Sequence, residues 1–259
     1  MSIADIASKA IVVAENTPNV YEAGRKFEHD RFWDVYQDYG NRTDYASAFA
    51  GKGWCEATFM PKYPITVVNG ANNMFLKTRF VDFKQHCADN GIVIDFSQAT
   101  GTSNLFQSCA ELTSVPDACG NVPNTTRLDR AFYTCSVLSE VPVIDSRSCK
   151  DFNRIFNDCV GLVTVHGIDF TANTGSLGYV FQNCNALKNL TINGTIKTSG
   201  LNLSWSTELS HDSLMSVTNA LEDYSGSGAA YTVTLGTANL AKLTAAEKAI
   251  ATQKGWTLA

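Results

Sequence analysis

Long apolar stretches are missing from this sequence. Runs such as "AIVVA" at 10–14 fall far short of the ~20 residues a membrane-crossing helix needs, so no membrane insertion is expected. Basic clusters are missing too. Lys and Arg number 20 against 25 Asp and Glu, a net charge of −5, which leaves no electrostatic footprint for nucleic acid. Histidine is scarce, with only His29, His86, His166 and His211. No G-x-S-x-G elbow, H-E-x-x-H, Walker loop or G-x-G-x-x-G occurs. His86 and Cys87 are neighbours in sequence, but a Cys–His catalytic pair is assembled in space. Asp145, Asp151, Asp158 and Asp169 offer carboxylate pairs for glycan hydrolysis, as any repetitive face would. These gaps point away from an enzyme and imply no cofactor and no metal. The N-terminal "MSIADIASKAIVVAEN" has no basic n-region and does not read as a secretory signal, so folding in a cytosol is expected.

Cysteine is present in a modest, even number, at 55, 87, 109, 119, 135, 149, 159 and 184. In a chain of this length, without an export signal, reduced thiols are the first reading. Disulfides and a metal are the alternatives. The absence of any C-x-x-C counts against zinc. The sequons at Asn41, Asn124, Asn189, Asn193 and Asn202 read as by-products of an Asn/Thr-rich composition.

What is present is a repeat. "LFQSC", "AFYTC", "IFNDC" and "VFQNC" place Phe106, Phe132, Phe156 and Phe181 three residues before Cys109, Cys135, Cys159 and Cys184. Leu112, Leu138, Leu162 and Leu187 follow, then Val115, Val141, Val165 and Leu190. The phenylalanines are 26, 24 and 25 residues apart, inside the leucine-rich-repeat range. A degenerate earlier copy fits at Phe75, Thr78 and Val81, with "KQHCADNG" as an inserted loop. "LTSVP", "LSEVP", "LVTVHG" and "LKNLTI" alternate apolar and polar residues and read as brief strands. Phe and Cys at i and i+3 share one face of a short helical turn. A buried thiol packs as a small hydrophobe, so the four cysteines should form a ladder through the core. One such unit cannot cover its own apolar face, but stacked units can.

These residues resemble BspA-type leucine-rich repeats. "CAELTSVPDACGNVPNTTRLDRAFYTCSVLSEVP" is similar to units that run C-x-x-L-x-x-[IV]-x-[IL]-P and then -AF-x-x-C. The resemblance implies an α/β solenoid, a stack of short parallel strands with irregular or helical turns opposite. It implies adhesion or recognition rather than catalysis.

The flanks differ from the repeats and divide the chain into four expected parts. Residues 1–40 read as a helical segment, with a cap at Ser2 and a restart at Thr17-Pro18. Ile3, Ile6, Ala10, Val13, Val20 and Phe27 form a heptad-like stripe. That stripe serves either self-association, most simply as a trimer, or packing on the chain's own domain. Residues 41–73 are rich in aromatics and, with the preceding Phe32, Trp33, Tyr36 and Tyr39, read as a cap over the first coil. The other use of such a row is stacking on sugars or bases. Residues 74–205 are the solenoid, and 206–259 an α/β C-terminal cap. In that cap we expect a Ser210-capped helix to about 224 and a strand in "AAYTVTLG". A helix with a Thr244/Glu247 capping box and a Gly255 stop follows, then a last strand in "WTLA".

Two flanking segments, "AFAGKGWCEATFMPKYPI" and "YTVTLGTANLAKLTAAEKAIATQKGWTLA", resemble structural proteins of tailed phages and prophages. That resemblance implies a virion protein of tail, baseplate or fibre, made in a bacterial cytoplasm. Its implied partners are other virion proteins and a host-surface glycan or protein. A bacterial surface adhesin and, further off, a polysaccharide depolymerase are the alternative readings.

Overall fold

The computed structural model describes residue 46 and residues 64–259, apart from 90 and 229. The N-terminal helices, their heptad-like stripe and nearly all of the aromatic segment therefore lie outside the described residues.

A column of phenylalanine rings runs through the described part. Phe75, Phe106, Phe132, Phe156 and Phe181 lie face to face with centroids 5.1, 5.5, 5.7 and 5.5 Å apart and planes within 18°. Phe80 and Phe83 meet Phe75 edge-on at 5.3 and 5.4 Å, and Phe83 also flanks Phe106 at 5.9 Å. Leu112, Leu138, Leu162 and Leu187 are fully buried beside the column. The pattern of large apolar groups recurring every coil thus becomes one continuous core.

The thiols form a second column with a hydrogen-bonding role. Cys109, Cys135, Cys159 and Cys184 are buried, and each Sγ lies 3.0–3.1 Å from the carbonyl of the phenylalanine one coil earlier. Three of these carbonyls accept the cysteine N–H of their own coil, for example Cys109 N to Phe106 O at 3.1 Å, and Phe75 O accepts the Thr78 N–H. Both lone pairs of a buried oxygen are then occupied. All seven described cysteines are free and buried. Burial pushes Cys109, Cys149 and Cys159 from 9.0 up to about 12. Native protein should therefore resist thiol reagents at the repeat cysteines and label fully once denatured. Cys159→Ser should cost about 1–3 kcal/mol, because a hydroxyl is dearer to bury than a thiol. A raised pKa favours the fold below the unfolded value, so stability should fall as pH climbs from about 9 towards 12. Urea titrations at pH 8 and pH 11 measure this; equal midpoints contradict it.

The segments carrying Phe and Cys are not helical turns, contrary to expectation. Two positions in each turn, two residues before and two after the phenylalanine, have positive φ: Asn104 and Ser108, Arg130 and Thr134, Arg154 and Asp158. Asn73 and Lys77 repeat this around Phe75, while the last turn keeps only Asn183. Left-handed residues interrupt an α-helix and turn alternate N–H groups outward. Thr102, Asn104, Phe106 and Ser108 accordingly donate to Arg127, Asp129, Ala131 and Tyr133 of the next coil. The backbone is satisfied between coils rather than within a helix. Thr134 is the one β-branched residue among the described residues held at φ 60°, a conformation that suits asparagine much better. Thr134→Asn should raise stability by about 1 kcal/mol, read as a higher urea midpoint at unchanged m-value.

On the opposite side the coils pair as short parallel strands. β1 (Ile65–Thr66) pairs with β2 (Ile94–Asp95). β3 (Glu140–Ile144), β4 (Thr164–Ile168) and β5 (Asn189–Ile192) form a three-stranded sheet in sequence order. "LTSVP" is not a strand. It makes one isolated bridge, Asp82 to Ser114, and then Pro116 starts a 3-10 turn, Asp117–Gly120. "KQHCADNG" is not a loop: it lies almost wholly in helix α1 (Phe83–Asp89), capped by Asp82 Oδ1 on Gln85 N–H. α1 buries Phe83 and Cys87 one turn apart. In the degenerate copy Thr78 occupies the cysteine position, with Oγ1 3.1 Å from Cys109 Sγ. The buried side chain after it is Phe80, while Val81 is 39% exposed.

Parallel pairing continues beyond residue 205, through Ile196–Leu221, Asn202–Thr234 and β6 (Tyr231–Val233) with β7 (Trp256–Leu258). Helix α2 (His211–Asn219) ends five residues before the expected 224, because Ile196 N–H bonds Ala220 O and draws the chain back into pairing. A further short helix, α3 (Thr237–Leu240), starts at Gly236. α4 (Ala245–Gln253) has the Thr244/Glu247 capping box, and Gly255 follows at φ +80°.

Candidate binding groove

A cavity of about 490 Å³ opens where α1 and the 3-10 turn face the sheet. Lys84, Asp117, Asn121, Glu140, Pro142, Val143, Asp145 and His166 supply its side-chain walls. Each wall is placed by a local reason. Asp82 caps α1 and so positions Lys84 in the first turn of the helix. Pro116 opens the 3-10 turn that carries Asp117. β3 and β4 place Glu140 beside Thr164, and the side chains of Glu140 and His166 meet across the pair.

Gly120 sets the closeness of the walls. A Cβ there would sit 2.1 Å from the Val143 carbonyl oxygen. Only a residue without one lets the turn approach the strand. Gly120 O also accepts the Asp145 N–H at 2.8 Å. The groove is therefore bounded by backbone-to-backbone contact, which fixes its width.

Two ion pairs and one histidine–carboxylate contact line or flank the groove. Lys84 Nζ donates to Asp117 Oδ1 at 3.0 Å, and His166 Nε2 lies 3.2 Å from Glu140 Oε2. Arg147 Nε donates to Asp145 Oδ1 at 2.8 Å and holds that carboxyl below its ordinary range. Hydrogen bonding to Asp117 pushes Lys84 up. Pro142 is half-buried and Val143 half exposed, and they give the groove an apolar strip.

The carboxylates that sequence offers for hydrolysis are not gathered here. Asp145 lines the groove, but Asp151 caps its own turn on Asn153 N–H, Asp158 accepts from Asn183, and Asp169 caps Thr171 N–H. His86 and Cys87 lie on α1, where burial pushes the Cys87 thiol up to about 11, the opposite of what a nucleophile needs. His211 lies 2.9 Å from Glu247, away from the groove. Among the described residues no His/Cys/Asp/Glu cluster could hold a metal, and no helix is long and apolar enough to cross a membrane. Of the repeat positions Val115 reaches the groove lining, whereas the phenylalanines, cysteines and leucines of the repeat core do not. Glu140, Lys84 and Asp117 were not singled out by sequence, since isolated surface charges carry no spacing signal. No family model, curated protein or solved structure matches this chain.

Proposed function

We propose that this chain is a non-enzymatic structural protein of a tailed-phage virion, in the tail, baseplate or fibre. In this reading a leucine-rich-repeat-like α/β solenoid presents the groove to a host surface or to another virion protein. The observation that supports it is a groove of fixed width whose ionisable groups are already paired with one another. Binding surfaces gain from such preorganisation. A hydrolase would instead hold a carboxyl or thiol perturbed towards reactivity. The sequence resemblance of both flanks to phage structural proteins supplies the virion setting. The N-terminal stripe from Ile3 to Phe27 is the proposed trimer contact.

Particle fractionation tests the setting. The chain should co-purify with intact virions in a fixed, low copy ratio, and anti-serum should label the tail region in electron micrographs. Its absence from particles together with display on uninfected cells would instead favour the adhesin reading. Removing residues 1–30 should convert an oligomer into a folded monomer by light scattering. New reducing ends from host polysaccharide would mean a depolymerase.

A further inference from the structure

We infer that the groove between the 3-10 turn and β3–β4 takes an uncharged, hydroxyl-rich ligand: a short neutral saccharide. This rests on reading the groove as the recognition surface. Three carboxylates, Asp117, Glu140 and Asp145, face or flank one opening, and each already meets a basic side chain at 2.8–3.2 Å. An anionic ligand would have to approach those three carboxylates. A cationic peptide would have to strip Asp117 from Lys84 and Asp145 from Arg147, and recover only what those pairs lose. A hydroxyl has neither difficulty. An ionised carboxylate offers about four lone-pair sites and an ammonium three donors, so paired groups keep capacity for neutral O–H partners.

The rest of the lining fits the same class. Glu140 and His166 present both acceptor and ring nitrogen at one point, Lys84 presents a donor, and exposed Asn121 presents both from the turn. Pro142 and half-exposed Val143 lie on the same wall, an apolar strip suited to the C–H face of a pyranose. The cavity, about 490 Å³, is within the range of small-molecule sites. Its backbone-set width means that no loop must be ordered when the ligand enters.

The test is titration of the full-length protein, by calorimetry and by ligand-observed NMR, in three arms. The first holds neutral di- and trisaccharides of glucose, galactose, mannose and N-acetylglucosamine. The second holds heparin disaccharides and inorganic phosphate, and the third a lysine-rich decapeptide. Saturable binding in the first arm is expected, with a Kd on the order of 1 mM. Val143→Asp and Glu140→Ala both change exposed side chains, and each should weaken it about tenfold or more while leaving thermal unfolding unchanged. No binding in the first arm overturns the inference, as does binding that both variants leave intact. If only the second or third arm binds, and Val143→Asp abolishes that binding, the groove remains the recognition surface and the ligand class is wrong. If no arm binds and virions carrying Val143→Asp adsorb normally, the recognition reading fails as well.

Discussion

Replacing Phe156 with alanine should destabilise the protein by about 3–5 kcal/mol, the cost of a large buried ring plus the cavity it leaves. Phe156 is fully buried and sandwiched, with Phe132 at 5.7 Å on one face and Phe181 at 5.5 Å on the other. Its neighbours cannot collapse into the gap, because each coil is tied to the next through backbone bonds such as Phe132 N to Ile155 O and Phe156 N to Val180 O. The cavity term should therefore be retained almost whole. Phe181→Ala removes one stacked neighbour rather than two and should cost less. Urea unfolding of Phe106, Phe132, Phe156 and Phe181 variants measures the profile. Equal losses below 1 kcal/mol at all four positions would show that the column does not hold the coils together.

Gly120→Ala should be the most damaging single methyl. The added Cβ would fall 2.1 Å from the Val143 oxygen and 3.0 Å from its carbon, and both atoms are backbone inside the paired strand β3. A side chain could swing away; a paired strand cannot. Overpacking of this kind costs about 1–3 kcal/mol and sometimes more, and the upper end is expected. The Asp145 N–H bond to Gly120 O should be lost with it. Gly178→Ala is the control, because its nearest atoms lie at 3.5 Å and its φ is not positive. That change should stay within about 0.5 kcal/mol. Similar midpoints for the two variants would mean that the turn does not press on the strand.

The two columns were legible from spacing, since Phe and Cys recur at intervals of 24 to 26 residues and hydrophobic periodicity reports burial. The same signal misassigned the turn between them. An i, i+3 pair on one face fits a helix and also fits a chain of turns with left-handed residues, and Arg130, Ser108 and Thr134 are not residues that announce positive φ. "KQHCADNG" read as a loop because it interrupts the period, although Asp82 ahead of it is an ordinary cap. "LTSVP" and "LSEVP" are nearly identical, yet only the second leads into a strand, because its continuation stays extended while "DACG" turns away. Counting residues aligns Val81 with the repeat, whereas Phe80 is the side chain that is buried. The groove was out of reach, as Lys84, Asp117 and Glu140 are brought together by coil stacking and by Gly120, and neither leaves a local pattern.

Phe75 and Phe106 are separated by 31 residues, the longest interval in the column, yet their rings are the closest pair, at 5.1 Å. Intervals of 26, 24 and 25 residues give 5.5, 5.7 and 5.5 Å. Axial advance is metered by inter-coil backbone bonding, and extra chain is spent on girth. The added length of the first coil goes outward into α1, which ends up as one side of the groove. Such a rod can be widened at a chosen level without shifting the levels above or below it. Surface features can then be grafted, enlarged or removed sideways while the spacing of the stacked coils stays constant.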